Sequence, residues 1–192
     1  APLYHPPMEA EEFYSADAED YLFYPSRLSA TKRQALVLEA MARTREPVRV
    51  VFASLADQAD YGAQVRHLHK TLKLGDRVEW LGAVDDTRKR ELYARSLGAV
   101  FTPVEEDYGY VTLEAMLSAK PVITCADAGA ALEFVQHEAT GLVTEPSAGP
   151  LAEAMDSLWR NRQQARDWGR AARARYLELG IGWPAVVRTL LT

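Results

Sequence analysis

The stretch Ala99-Val100-Phe101-Thr102-Pro103-Val104-Glu105-Glu106-Asp107-Tyr108-Gly109-Tyr110-Val111-Thr112-Leu113-Glu114-Ala115-Met116 holds the fold in miniature. It opens on Ala99–Pro103, a strand-length run too apolar to keep one face in water. Runs of that kind suit parallel strands covered on both sides. Three acids and a glycine follow, and Val111–Ser118 then reads as a helix. A strand that feeds a helix through a short polar loop is half of a βαβ unit, whose crossover is right-handed.

The same alternation recurs on either side. Strand-length apolar runs stand at Tyr21–Pro25, Val48–Ala53, Val78–Leu81, Pro121–Thr124 and Leu142–Thr144. Between them lie helical patterns: the helix-forming stretch Lys32–Arg43, the repeat Tyr61, Val65, Leu68 and Leu72, and a third helix carrying Leu92 and Tyr93. Three stripes close the chain. They are Leu151, Ala154, Met155 and Leu158, then Ala165, Trp168, Ala172 and Tyr176, then Trp183, Val186, Val187 and Leu190 beyond the Gly180-Ile181-Gly182 break. The fold expected is α/β, a Rossmann-like parallel sheet of about six strands with helices on both faces. Ligands of such sheets bind outside the carboxyl ends of the strands, so functional residues belong just after the apolar runs.

The chain's 192 residues suit one large domain, and the surface law lets about 70% of the unfolded chain's surface be buried. A net charge of −5 gives no basic excess to drive nucleic-acid binding. Cys125 stands alone in an apolar run, which excludes a disulfide framework and a thiolate metal cluster and reads as a small buried hydrophobe. No apolar stretch approaches the ~20 residues that span a bilayer. Residues 1–20, with three prolines and a run of acids, read as an interdomain linker, and 21–192 as the folded domain. The opening Ala1-Pro2-Leu3-Tyr4-His5-Pro6-Pro7 is a connector rather than a signal peptide, as in a piece of a longer protein. His67 and His69 are two apart, point apart on a helix, and read as surface residues.

Three polar clusters fall at expected strand ends. After the first comes Ser26-Arg27-Leu28-Ser29-Ala30-Thr31-Lys32, whose two cations suit a diphosphate, Arg27 as a fork and Lys32 as a point charge. The plain alternative is a pair of solvated charges. After the third comes Gly82-Ala83-Val84-Asp85-Asp86-Thr87-Arg88-Lys89, in which Asp85 or Asp86 caps a helix over Thr87–Arg95. After the fourth, Glu106 and Glu114 are placed to face one cleft and accept hydrogen bonds from sugar or ribose hydroxyls. The backbone N–H groups around Gly109–Thr112 open a helix and form an anion site. Capping and dipole complementation explain one or two of these acids, but not Glu114 inside an apolar helical turn.

Together these motifs carry a resemblance. Arg27-x4-Lys32, Val78-Glu79-Trp80-Leu81-Gly82, Glu106-x7-Glu114 and Lys120-Pro121-Val122-Ile123, in that order and at that spacing, resemble the donor-binding half of a retaining GT-B glycosyltransferase of the group-1 family. The match runs over about residues 21–192; Tyr4-His5-Pro6-Pro7 resembles the family's interdomain linker, and Gly182-Trp183-Pro184 with its helix the final helix that crosses back toward the first domain. The resemblance implies that Arg27 and Lys32 neutralise the diphosphate of a nucleotide-sugar. Glu114 would hold the ribose, and Glu106 would contact the transferred sugar, with backbone amides of Asp107, Tyr108, Gly109 and Tyr110 and the start of the helix at Val111. The loop Gly82–Asp86, through Val84 and Asp86, would border the base. The catalytic set would be Arg27, Lys32 and Glu106. Transfer would retain the anomeric configuration through an oxocarbenium-like state. No Asp-x-Asp occurs, as in a family that needs no metal to hold the diphosphate, and no cofactor is expected.

The sequence departs from the family in one loop. Asp127-Ala128-Gly129-Ala130-Ala131-Leu132-Glu133 keeps Gly129 and Glu133 but has Ala130 where a second glycine is common, which puts that loop's conformation in question. The resemblance accounts for nearly the whole chain with one half of the fold, so the acceptor-binding domain is expected to lie outside it and this chain alone to be inactive. The full enzyme is expected to be cytoplasmic, with any membrane contact made by the missing domain. A carboxylate at Asp86 can accept two hydrogen bonds from guanine, which favours a GDP-sugar over a UDP-sugar. The rival readings are a non-catalytic nucleotide-sugar-binding or assembly module and a nucleotide-sugar epimerase half.

Overall fold

All six apolar runs form strands in the computed structural model, which describes residues 8, 10–54, 59–183 and 187. They are β1 (Leu22–Pro25), β2 (Val50–Ala53), β3 (Val78–Trp80), β4 (Gly98–Val100), β5 (Val122–Cys125) and β6 (Gly141–Thr144). Every neighbouring pair is parallel, in the order β3-β2-β1-β4-β5-β6. The helices are α1 (Gln34–Met41), α2 (Ala59–Thr71), α3 (Asp86–Arg95), α4 (Tyr110–Leu117), α5 (Ala131–Phe134), α6 (Ala148–Arg160) and α7 (Arg162–Leu179). The order of strands reverses between β1 and β4, which is where such a sheet opens a crevice for ligands.

Both faces of the sheet are covered, which is why its inner strands carry no polar alternation, whereas the edge strand β3 leaves Glu79 exposed between Val78 and Trp80. Leu22, Tyr24, Val50, Phe52, Val100 and Ile123 point to one side, against α1, α2 and α6. Phe23, Val51, Ala99, Phe101 and Val122 point to the other, against α3, α4, α5 and the second half of α7. On the first side Tyr24, Phe52 and Trp80 stack across β1, β2 and β3, with ring centroids 5.2 and 4.4 Å apart. Cys125 is buried there beside Thr144, and burial pushes its thiol up.

The structure shifts some boundaries for identifiable reasons. The stretch expected as one helix over 32–43 splits: Ala30–Lys32 is a 3-10 turn, Arg33 takes a left-handed conformation at φ 57°, and α1 begins at Gln34. β4 ends at Val100, and past it the carbonyls of Thr102 and Pro103 accept from the Arg33 guanidinium rather than from a strand. His69 is not the surface residue expected: its ring accepts from the Trp80 indole N–H at 3.3 Å and so ties α2 to β3. His67 is exposed.

Residues 10–20 lie along α3. Phe13 is buried against Tyr93, the Ala16 amide donates to Ala94 O at 3.0 Å, and Glu12 pairs with Arg90. Trp168 and Tyr176 are packed as expected, but Trp183 is 64% exposed. Val186 and Leu190 of that last stripe, and Tyr4-His5-Pro6-Pro7, lie outside the described residues.

Candidate functional site

At the carboxyl edge of the sheet, loops from β1 and β3 face the start of α4 across a cleft of about 340 Å³. Arg27, Val84, Lys89, Tyr110, Val111 and Glu114 line it. The first loop is held from behind by Gln34, whose side-chain amide donates to Arg27 O at 2.7 Å. The third loop turns at Gly82, where φ is +72°, a conformation that glycine adopts without a Cβ penalty. Asp85 caps α3 by accepting from the Arg88 amide at 2.7 Å, which settles the choice between the two aspartates. Asp86 stands beside the cleft with 78% of its side chain exposed, 3.2 Å from Lys89 Nζ.

Glu114 is the cleft's buried carboxylate, 8% exposed and more than a turn into α4. Lys89 donates to its Oε1 at 2.7 Å and the Tyr93 hydroxyl to its Oε2 at 2.8 Å. Burial and the nearby carboxylate push the Tyr93 hydroxyl well above the ordinary range, so it stays protonated and donating. Burial alone would lower the Lys89 ammonium, but Glu114 and Asp86 carry it above the ordinary value. A carboxylate offers about four acceptor sites. Two are used by Lys89 and Tyr93, and the carboxylate keeps acceptor capacity toward the cleft.

Lys32 and Glu106 form an ion pair between the β1 loop and the β4 loop, each side chain 16% exposed. Lys32 Nζ also sits 5.4 Å over the Phe101 ring. Glu106 is fixed through its backbone: its amide donates to Ala128 O at 3.2 Å, and its carbonyl accepts from the Ala130 amide at 2.8 Å. Gly129, at φ +65°, lies so close that an added Cβ would fall 2.5 Å from Glu106 N. Ala130 takes an ordinary right-handed conformation as the cap of α5, so that position does not need the second glycine. Asp107 and Tyr108 are exposed, and Tyr108 lies 5.9 Å, centroid to centroid, from Tyr110. Gly109 caps α4 at φ +67° and its carbonyl accepts from Thr112 and Leu113, so the amides before them open the helix toward the crevice.

Thus Arg27, Val84, Tyr110, Val111 and Glu114 share one cleft, while Lys32 and Glu106 meet as a pair in the adjoining loops. Two residues escaped the sequence reading. Lys89 lay within a quoted motif without a role. Arg33 followed Lys32 and carried no signal beyond its place at a strand end; its guanidinium binds Thr102 O at 2.7 Å, Pro103 O at 2.6 Å and both oxygens of Asp127 at 2.7 and 2.8 Å. It ties together the loops after β1, β4 and β5. Its hydrogen bonds hold the Asp127 carboxyl below the usual range.

Among the described residues, no three His, Cys, Asp or Glu side chains are grouped so as to hold a metal ion. Among them, too, no helix is long and apolar enough to cross a membrane.

The family described as Glycosyl transferases group 1 matches residues 9–175. The chain is 36% identical over 149 residues to the D-rhamnosyltransferase WbpZ of Pseudomonas aeruginosa, covering 75% of this chain and 37% of that protein. It is 28% identical over 166 residues to the alpha-1,3/1,6-mannosyltransferase ALG2 of Homo sapiens, covering 80% of this chain and 40% of that one. The chain therefore spans about two fifths of the length of these relatives. Its fold is that of Anabaena Alr3699/HepE, solved with UDP and glucose, at a TM-score of 0.82 and 22% identity over 96% of this chain and 55% of that one. It is also that of the C-terminal domain of the group 1 glycosyl transferase LpcC of Francisella tularensis, at a TM-score of 0.79 and 21% identity over 89% and 97%.

Proposed function

Since the chain belongs to the group 1 glycosyl transferases, we propose that it is the donor-binding half of a retaining GT-B enzyme, residues 21–192 holding a nucleotide-sugar and residues 1–20 leading in from an acceptor-binding domain. The observation that carries this reading is the cleft at the crevice of the sheet, where a cation, Arg27, faces a buried carboxylate, Glu114. A nucleoside diphosphate needs that pairing: positive charge for the phosphates and an acceptor for the ribose hydroxyls.

In this reading the ribose binds Glu114, with Lys89 and Tyr93 fixing the carboxylate's orientation. The base lies against the loop at Val84. The diphosphate meets Arg27, Lys32 and the amides that open α4. Lys32 has three N–H donors and gives one to Glu106, so it can bind phosphate while holding that carboxylate in place. As the bond to the sugar breaks, charge grows on the departing diphosphate. Fixed donors aimed at it stabilise that charge more than they stabilise the bound substrate. Glu106, with the amides of Asp107, Tyr108 and Gly109, contacts the transferred sugar. The chain alone transfers nothing, because the acceptor's binding groups belong to the other domain.

The base is read as guanine, Asp86 accepting from N1–H and the exocyclic amine. Asp85 already caps α3, which leaves Asp86 without that structural duty. Calorimetric titration of the chain with GDP and UDP tests both layers. GDP is expected to bind more tightly, and Asp86→Ala to weaken GDP by more than about fivefold, or 1 kcal/mol, without changing UDP. Tighter UDP binding overturns the choice of base. Failure of both nucleotides to bind, or binding that survives Arg27→Ala unchanged, overturns the donor site.

A further inference from the structure

We infer that the chain holds a second anion site, for a dianionic phosphate group, at the end of the sheet opposite the donor cleft. A cavity of about 420 Å³ opens there, at the amino ends of β4 and β5. Ser15, Asp17, Leu97, Lys120, Arg166 and Arg170 are among the residues that line it, and none of its lining residues borders the donor cleft.

The site is built by a close approach. Gly169 lets the backbone of α7 rest on the turn between α4 and β5, so closely that an added Cβ would lie 2.0 Å from Ala119 O. Ala119 makes that turn at φ +53°. Arg166 and Arg170, one helical turn apart, are thereby brought to the rim above Lys120. Lys120 is 5% exposed and gives one hydrogen bond, at 3.2 Å, to Ala16 O. An ammonium has three donors, so this leaves capacity directed at the cavity.

The charge balance points to a ligand. Three cations line the cavity against one carboxylate, Asp17, among its described lining residues, with Asp167 on the outer side of α7 lying 3.6 Å from Arg170, in a chain whose net charge is −5. Burying an ammonium beside the Arg166 guanidinium is unfavourable, and an apolar side chain would fill the position at no such cost. Burial lowers the Lys120 ammonium to about 8; Asp17 works against that shift and Arg166 adds to it to a smaller extent. A phosphate dianion removes the imbalance: two guanidinium forks and one point charge match its tetrahedral oxygens, and Ser15 adds a hydroxyl donor. A carboxylate, with one charge, leaves a positive excess.

Titration of the chain with inorganic phosphate at pH 7, followed by amide NMR at ionic strength fixed with chloride, tests the site. Saturable shifts are expected at Ala16, Ala119, Lys120, Arg166 and Gly169. Glucose 1-phosphate is titrated in parallel: tighter binding of the ester identifies a phosphomonoester as the ligand, and equal binding identifies free phosphate. The double variant Arg166→Gln/Arg170→Gln changes exposed residues and keeps the fold. It is expected to weaken binding about tenfold or more. Lys120→Met is expected to abolish binding, and raising the pH from 8 to 9.5, a range in which the phosphate stays dianionic, to weaken it as the ammonium is lost. Shifts confined to the donor cleft, equal shifts with chloride alone, or binding unchanged in the double variant would overturn the inference.

Discussion

Replacing Arg33 by Ala removes the clamp behind the proposed donor site. Its guanidinium makes charge-assisted hydrogen bonds to two buried carbonyls, Thr102 O and Pro103 O, and a two-pronged ion pair to Asp127. Each bond to a carbonyl contributes about 1.5 kcal/mol at the low end for a charged partner. The ion pair is discounted to less than about 1 kcal/mol, because 43% of the Asp127 side chain faces solvent. Backbone strain drops out of the difference, since Ala and Arg are equally strained at φ 57°. Arg33→Ala is therefore expected to cost about 3 kcal/mol, which for a chain of this length lowers Tm by roughly 6–12 °C. Asp127→Asn, which keeps both carbonyl bonds, is expected to cost less than about 1 kcal/mol. Thermal and guanidinium unfolding followed by circular dichroism at pH 7 measure both, and the double variant isolates the coupling between them. The pair also has an acid limb. Arg33 depresses the Asp127 pKa, so its contribution is complete above the unfolded carboxyl value and fades as pH falls through the lower folded value. That limb should vanish in Arg33→Ala. A loss under about 1 kcal/mol for Arg33→Ala, or equal losses for the two single variants, would refute the assignment of the energy to the carbonyl bonds.

Two further predictions follow from close contacts and burial. Gly129→Ala places a methyl group 2.5 Å from Glu106 N at φ +65°, so a loss of about 2–4 kcal/mol and weaker donor binding are expected, whereas Ala130→Gly should cost no more than about 1 kcal/mol because Ala130 is in a helical conformation; unfolding curves that rank the two alike would contradict the loop geometry. Lys120 titrates near 8 when folded against about 10.4 unfolded, so the unfolded chain holds more protons in that window and stability should rise as pH climbs through it, by up to about 3 kcal/mol. Lys120→Met should abolish that rise in denaturation curves taken at pH 7 to 10; a rise of the same size in the variant would assign it to other groups.

The alternation of apolar runs and helical stripes determined the sheet, because doubly covered parallel strands have to be apolar on both faces and such a pattern is visible without contacts. Arg27, Glu106 and Glu114 stood out as candidates for a related reason: charged groups at strand ends and inside an apolar turn lack a structural motive that local sequence can supply. Their pairing was not legible. That Lys32 meets Glu106, and Lys89 meets Glu114, depends on β1 and β4 lying side by side and on α3 packing beside α4, contacts between residues 74 and 25 positions apart. The choice between Asp85 and Asp86 as a cap depended on one backbone amide, that of Arg88. Arg33 was invisible because its partners come from two other loops, and a guanidinium gives no local pattern until those loops are brought to it. The same holds for the cluster of Lys120, Arg166 and Arg170, which exists because a glycine on α7 lets two backbones touch. Periodicity is a property of neighbours along the chain, and the sequence carries it openly; which charges face one another is a property of neighbours in space, and only the folded sheet decides it.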